Sequence, residues 1–120
     1  MLTVWRRGRL FAILLLVCLT GCRSSYERAP ARHIRVTAHK YAFEPAVIHV
    51  KQGEPVELEI STLDVQHGFE VNGLGVDESV QKGRPAIVTF TPQQKGEYRM
   101  NCDIICGPGH DGMEGKIVVD

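Results

Sequence analysis

The 120-residue sequence has little of what would place it in the commoner functional classes. Basic residues are not in excess, since 14 Lys plus Arg face 14 Asp plus Glu, and so the chain carries no electrostatic footprint for nucleic acid. Aromatic residues make up only 7%, and the one tryptophan, Trp5, lies near the N-terminus. A single long apolar run occurs, Leu10 to Leu19, and its ten residues are too few to cross a bilayer. No later stretch holds a helical apolar period for ten residues, which argues against a helical bundle or an α/β fold. A nucleophile–base–acid set, a phosphate-binding glycine loop and a zinc-hydrolase motif are all missing, so no bond-making chemistry is indicated. Cysteine is scarce as well, with residues 18, 22, 102 and 106 only.

What is present divides into three parts. Arg6, Arg7 and Arg9 lead into the apolar run, which ends in Leu19-Thr20-Gly21-Cys22, an arrangement that resembles the bacterial lipoprotein box. Residues 1–21 are therefore expected to be a lipoprotein signal peptide, with Cys22 the lipid attachment site. An ordinary signal, or a short anchor with a chance cysteine, is the alternative. Residues 22–32 lack apolar periodicity and form the expected tether. The expected product is exported and lipid-anchored at the extracytoplasmic (periplasmic) face of a membrane. From His33 onward 8 basic residues face 13 acidic ones, a surplus that favours a basic partner and equally serves solubility.

Residues 33–120 carry the signature of strands. Val56-Glu57-Leu58-Glu59-Ile60 alternates with period two, so Val56, Leu58 and Ile60 are expected to face a core. Ile34, Val36 and Ala38 repeat the pattern, and Val47–Val50, Phe69–Val71, Ala86–Thr91, Glu97–Asn101 and Lys116–Val119 are further strand candidates. Gly-containing turns at Gln52-Gly53, Asn72-Gly73, Lys82-Gly83 and Lys95-Gly96 separate them. Short strands at this spacing predict an all-β sandwich or barrel. His33, His39 and His49 fall on the polar alternates of strands and are expected to be solvated.

The chemistry-bearing residues gather late in the chain. Cys102, Cys106, His110 and Met113 place two thiols, an imidazole and a thioether within twelve residues, and His67 follows the strand that ends near Thr62. Thiolate and thioether are soft donors that suit Cu(I), and imidazole suits both oxidation states of copper. Gly107, Pro108, Gly109 and Gly112 allow a tight loop that turns His110 and Met113 back toward the thiols. The competing interpretation is a Cys102–Cys106 disulfide with no metal, although a bridge closing so short a loop restrains little.

The pair of motifs, Asp64-Val65-Gln66-His67-Gly68-Phe69 followed by Cys102 through Met113, resembles the soluble copper A domain of cytochrome c oxidase subunit II, a cupredoxin-like Greek-key β-barrel. Supporting matches run through Tyr41-Ala42-Phe43-Glu44-Pro45, Val50-Lys51-Gln52-Gly53, Phe90-Thr91-Pro92, Gly96-Glu97-Tyr98 and Gly115 to Val119. The resemblance implies two copper ions bridged by the thiolates of Cys102 and Cys106, with one imidazole on each from His67 and His110. Met113 would complete one copper weakly, and the backbone carbonyl of Ile104 the other. A centre shared in this way changes its bonds little on gaining an electron, which suits rapid electron transfer. Tyr41 and Phe43 lie where the family carries aromatics, and are expected to pack at the core or barrel rim. Asp64 is expected to make a local turn bond.

The sequence also departs from that family. Members usually have membrane helices before the barrel, whereas this chain has the short leader. Many members carry a Glu where Ile104 stands, serving a second metal site at the contact with the catalytic subunit, and an Ile side chain cannot do that. The resemblance implies a dinuclear copper electron carrier that takes electrons from a cytochrome c-like donor and passes them to a membrane or exported oxidase or reductase. The alternative is a copper-binding chaperone delivering Cu(I) for oxidase assembly, and a third class is a metal-free module stapled by a disulfide. Any oxygen reduction would belong to another chain of a complex.

Overall fold

The computed structural model describes residues 28–120, and the leader, Cys22 and most of the tether lie outside the described residues. Among the described residues nine strands occur in chain order: β1 (Arg32–His39), β2 (Ala42–Glu44), β3 (Val47–Val50), β4 (Val56–Thr62), β5 (His67–Val71), β6 (Val76–Val80), β7 (Ala86–Phe90), β8 (Gly96–Asn101) and β9 (Glu114–Val119). One 3₁₀ turn, His110–Gly112, interrupts the connection from β8 to β9. No helix among the described residues is long and apolar enough to cross a membrane.

Two sheets enclose the core. One has the order β2-β1-β4-β7 and the other β3-β9-β8-β5-β6. Neighbours pair antiparallel except β1 with β4 and β3 with β9, whose parallel pairing requires the chain to cross between sheets. Alternation explains the faces: β4 buries Val56, Leu58, Ile60 and Thr62 while Glu57, Glu59 and Ser61 turn outward. Val36 and Ala38 from β1, Val50 from β3, Phe69 and Val71 from β5 and Ile117 from β9 meet them inside. Phe43 and Phe69 pack edge to face with ring centres 5.3 Å apart, joining the two sheets near one end.

Two strands go beyond the sequence expectation. β2 is only three residues long and hangs on β1 through Thr37–Glu44, Ala38–Phe43 and His39–Ala42. β6 has the half-buried Glu78 between Val76 and Val80, so its apolar alternation is broken and only pairing with β5 reveals it as a strand. β5 also starts two residues earlier than expected, which makes His67 the first residue of a strand. His33, His39 and His49 do lie toward solvent, against Glu57 and Glu59, Glu44, and Asp120 respectively. Such exposed pairs contribute about 0–1 kcal/mol each.

Truncating the centre of β4 tests the core. Leu58 is fully buried, so Leu58→Ala should cost about 2–5 kcal/mol. Denaturant unfolding should show a lower midpoint with an unchanged slope, and an unchanged midpoint would place Leu58 outside the core.

Candidate metal centre

The site forms where β4, β5 and β8 reach one end of the barrel. β8 and β9 are paired as far as Asn101 and Glu114, so the loop 102–113 leaves and returns at a hydrogen-bonded strand pair. The Cys102 amide donates to the Met113 carbonyl at 3.1 Å and extends the ladder one step into the loop. Within it, the His110 amide donates to the Gly107 carbonyl and the Met113 amide to the His110 carbonyl, which turns both side chains inward.

The side chains so placed converge. Cys102 and Cys106 are free thiols with Sγ atoms 3.7 Å apart. Met113 Sδ and His110 Nδ1 each lie 3.8 Å from Cys106 Sγ, and the Cys102 thiol donates to the Ile104 carbonyl at 3.0 Å. One ring nitrogen of His67 and the two sulfurs fall within 4.8 Å of one another. Every residue singled out from the sequence for this site, His67, Cys102, Ile104, Cys106, His110 and Met113, therefore belongs to one cluster.

His67 is the most telling of them. Its side chain is wholly buried, its Nε2 lies 2.8 Å from Asp64 Oδ1, and its Nδ1 has no hydrogen-bond partner. Asp64 feels some desolvation, which opposes ionisation. Hydrogen bonds from His67 and from the Lys40 and Val65 amides outweigh it and hold the carboxyl well below the usual carboxylate range. A carboxylate accepts only, so His67 Nε2 carries a proton, and in the neutral ring the lone pair sits on Nδ1. The ring that carries this orphaned nitrogen lies beside the thiols. A buried acceptor with no partner is costly in a closed protein and is what a metal ligand looks like before the metal arrives.

The donors fit copper. The set combines soft sulfur with imidazole and gathers no carboxylate cage. Asp64 reaches the cluster only through His67, more than the local turn bond expected of it, because it also ties down Lys40 at 2.7 Å. The Asp-x-x-His spacing carried that signal. Gly68, next to His67, lets the loop lie close, since a β-carbon there would stand 2.9 Å from the Asp103 amide nitrogen.

Comparison with known proteins agrees with the geometry. A profile described as a cupredoxin-like domain matches residues 11–119. The chain belongs to the cupredoxin-like family. It is 38% identical over 86 residues to a cytochrome c oxidase subunit 2 of Thermus thermophilus, an alignment covering 72% of this chain and 64% of that one. The chain thus spans less than two thirds of that relative. Among solved structures, the periplasmic domain of subunit II of cytochrome oxidase from Bradyrhizobium japonicum superposes with a TM-score of 0.68 at 17% identity, over 78% of this chain and 88% of that one. A chain of a heme-copper terminal oxidase dimer gives 0.70 at 23% identity, over 78% and 68%. At such identities the structural likeness establishes the fold.

Three outcomes follow for this cupredoxin-like site. Burial, then the hydrogen bond and negative field of Cys102, push the Cys106 thiol up to about 11, so at neutral pH metal must displace its proton. Apparent copper affinity should rise with pH between 6 and 8, by about tenfold per unit for each proton displaced, and a chelator competition that proved flat with pH would contradict this. Removing the carboxylate behind His67 in Asp64→Ala should weaken copper binding about 10–100-fold in the same assay. Because the Asp64 carboxyl is depressed by folding, its stabilisation is present above the unfolded value of about 3.9 and is lost as pH falls through the lower folded value. Acid unfolding of the metal-free variant should lose that component.

Proposed function

We propose that this protein is a dinuclear copper electron-transfer domain. Cys102 and Cys106 would bridge two ions, with one imidazole on each from His67 and His110, Met113 completing one ion and the Ile104 carbonyl the other. Two shared thiolates, two imidazoles, one thioether and one carbonyl supply the eight positions of two four-coordinate ions. A single ion would leave part of this set unused. The observation that carries the proposal is the buried His67 ring, its Nδ1 without a partner, beside two free thiols.

Bound copper would supply a one-electron couple at this end of the barrel. The chain's own residues provide the conditions for its use. Asp64 fixes the His67 ring and its tautomer, and the burial of His67, Cys102 and Met113 keeps this part of the site dry. The ladder from Cys102 to Met113 keeps the loop from relaxing between redox states. The proposed donor is a cytochrome c-like protein and the proposed acceptor a membrane or exported oxidase or reductase. The named relative in Thermus thermophilus is an oxidase subunit, which favours assembly with a catalytic chain. The domain would work outside the cytoplasm, exported behind residues 1–21 and tethered by lipid on Cys22.

The test is a copper titration of the reduced protein, reading stoichiometry together with visible absorption and the paramagnetic resonance hyperfine pattern. The expected result is two coppers per chain with one unpaired electron shared equally between two nuclei. One labile copper without that pattern would replace this proposal with Cu(I) delivery. No binding, with both thiols oxidised, would leave a disulfide-stapled module.

A further inference from the structure

Tyr41 occupies the turn between β1 and β2, more than sixty positions before the metal loop, yet its ring lies across that loop. A β-carbon added at Gly107 would collide with the Tyr41 hydroxyl and stand 3.1 Å from Cε1 and Cζ. One added at Gly109 would collide with Cδ2 and stand 2.6 Å from Cγ and 2.8 Å from Cε2. The hydroxyl end of the ring therefore covers Gly107, and the root covers Gly109. Gly107 directly follows Cys106 and Gly109 directly precedes His110, so one side chain covers the whole limb between a thiol and an imidazole.

The other side of Tyr41 leads to the second imidazole. The preceding residue, Lys40, donates its amide to Asp64 Oδ2 at 2.7 Å, and Asp64 Oδ1 takes the His67 ring. We propose that Tyr41 is a positioning residue of the metal centre, which clamps the Cys106–His110 limb and sets it relative to His67 through the Lys40 amide and Asp64. This rests on the copper assignment for its function, though not for the clamp itself. The limb needs a clamp, because two glycines give its backbone more freedom than any other residues would. Those same glycines are what admit the ring. Gly107 has φ +145, which already favours glycine, but Gly109 has an ordinary φ of −94, so only the ring's approach excludes a side chain there.

The experiment uses the full chain as wild type, Tyr41→Phe, Tyr41→Leu, Gly109→Ala and the Tyr41→Leu/Gly109→Ala double variant. Three quantities are read: the rate of copper transfer to excess Cu(I) chelator, the paramagnetic resonance pattern, and hydrogen exchange of the His110 amide in metal-free protein. Tyr41→Phe should keep the wild-type rate within about twofold. Tyr41→Leu should release copper about tenfold faster and speed His110 amide exchange, with far-ultraviolet dichroism unchanged. Gly109→Ala should act alike on the wild-type background and add little to Tyr41→Leu, because both act on one contact. Wild-type release from Tyr41→Leu, or an equal cost of Gly109→Ala on both backgrounds, would overturn the clamp. Should Tyr41→Leu fail to fold, Gly109→Ala decides, and wild-type release from it would overturn the proposal. A wild-type spectrum confined to one copper nucleus would defeat the dinuclear reading alone, since exchange at His110 still reports the clamp.

Discussion

A fully buried imidazole must satisfy two nitrogens, and that demand organises one end of this barrel. His67 meets half of it with Asp64. Asp64 in turn is fixed from several sides, by the Val65 amide, the Lys40 amide and the Thr62 hydroxyl, so it cannot swing away to solvent. The other nitrogen has no protein partner. Leaving such a group unsatisfied costs about 1–3 kcal/mol, which a metal bond would offset. A fold without metal would therefore carry a local cost that binding would remove, and binding energy would become folding energy at this place.

The remaining donors are organised differently. His67 begins a strand and Cys102 directly follows one, so both inherit the stiffness of the five-stranded sheet. Cys106 and His110 sit on a loop rich in glycine, where the backbone would otherwise wander. Contacts from outside the loop compensate: the Asp103 approach to Gly68 at one end and the Tyr41 ring at the other. A site that must keep its geometry while its charge changes benefits from support on every side.

Some of this was legible in the sequence and some was not, for physical reasons. β4 declares itself because one face is buried and the other wet, and the apolar–acidic alternation of residues 56–60 follows from that. The clustering of the candidate site residues was legible because soft sulfur beside imidazole is a rare grouping with few uses. β6 was hidden because Glu78 stands where alternation calls for an apolar residue, and β2 because three residues are too few to show a period. The Tyr41 contact was hidden for another reason. Nothing local in Lys40-Tyr41-Ala42 points to Gly107, and only the closure of β1 against the loop end brings them together.

The hydrogen bonds among the site residues are compatible with copper entering without rebuilding the site. The Cys102 thiol donates to the Ile104 carbonyl, and the Cys106 thiol lies against Met113 Sδ and His110 Nδ1. Each contact pairs a proton-bearing sulfur with an atom that is itself a candidate ligand. The protons thus hold the donors near the positions a metal would use, and exchanging protons for metal changes charge more than shape. Ile104 meets the cluster through its carbonyl, so its side chain is free to differ without losing that contact. A site already assembled in its protonated form has little left to reorganise when a metal binds, and such preorganisation accords with the proposed electron-transfer role.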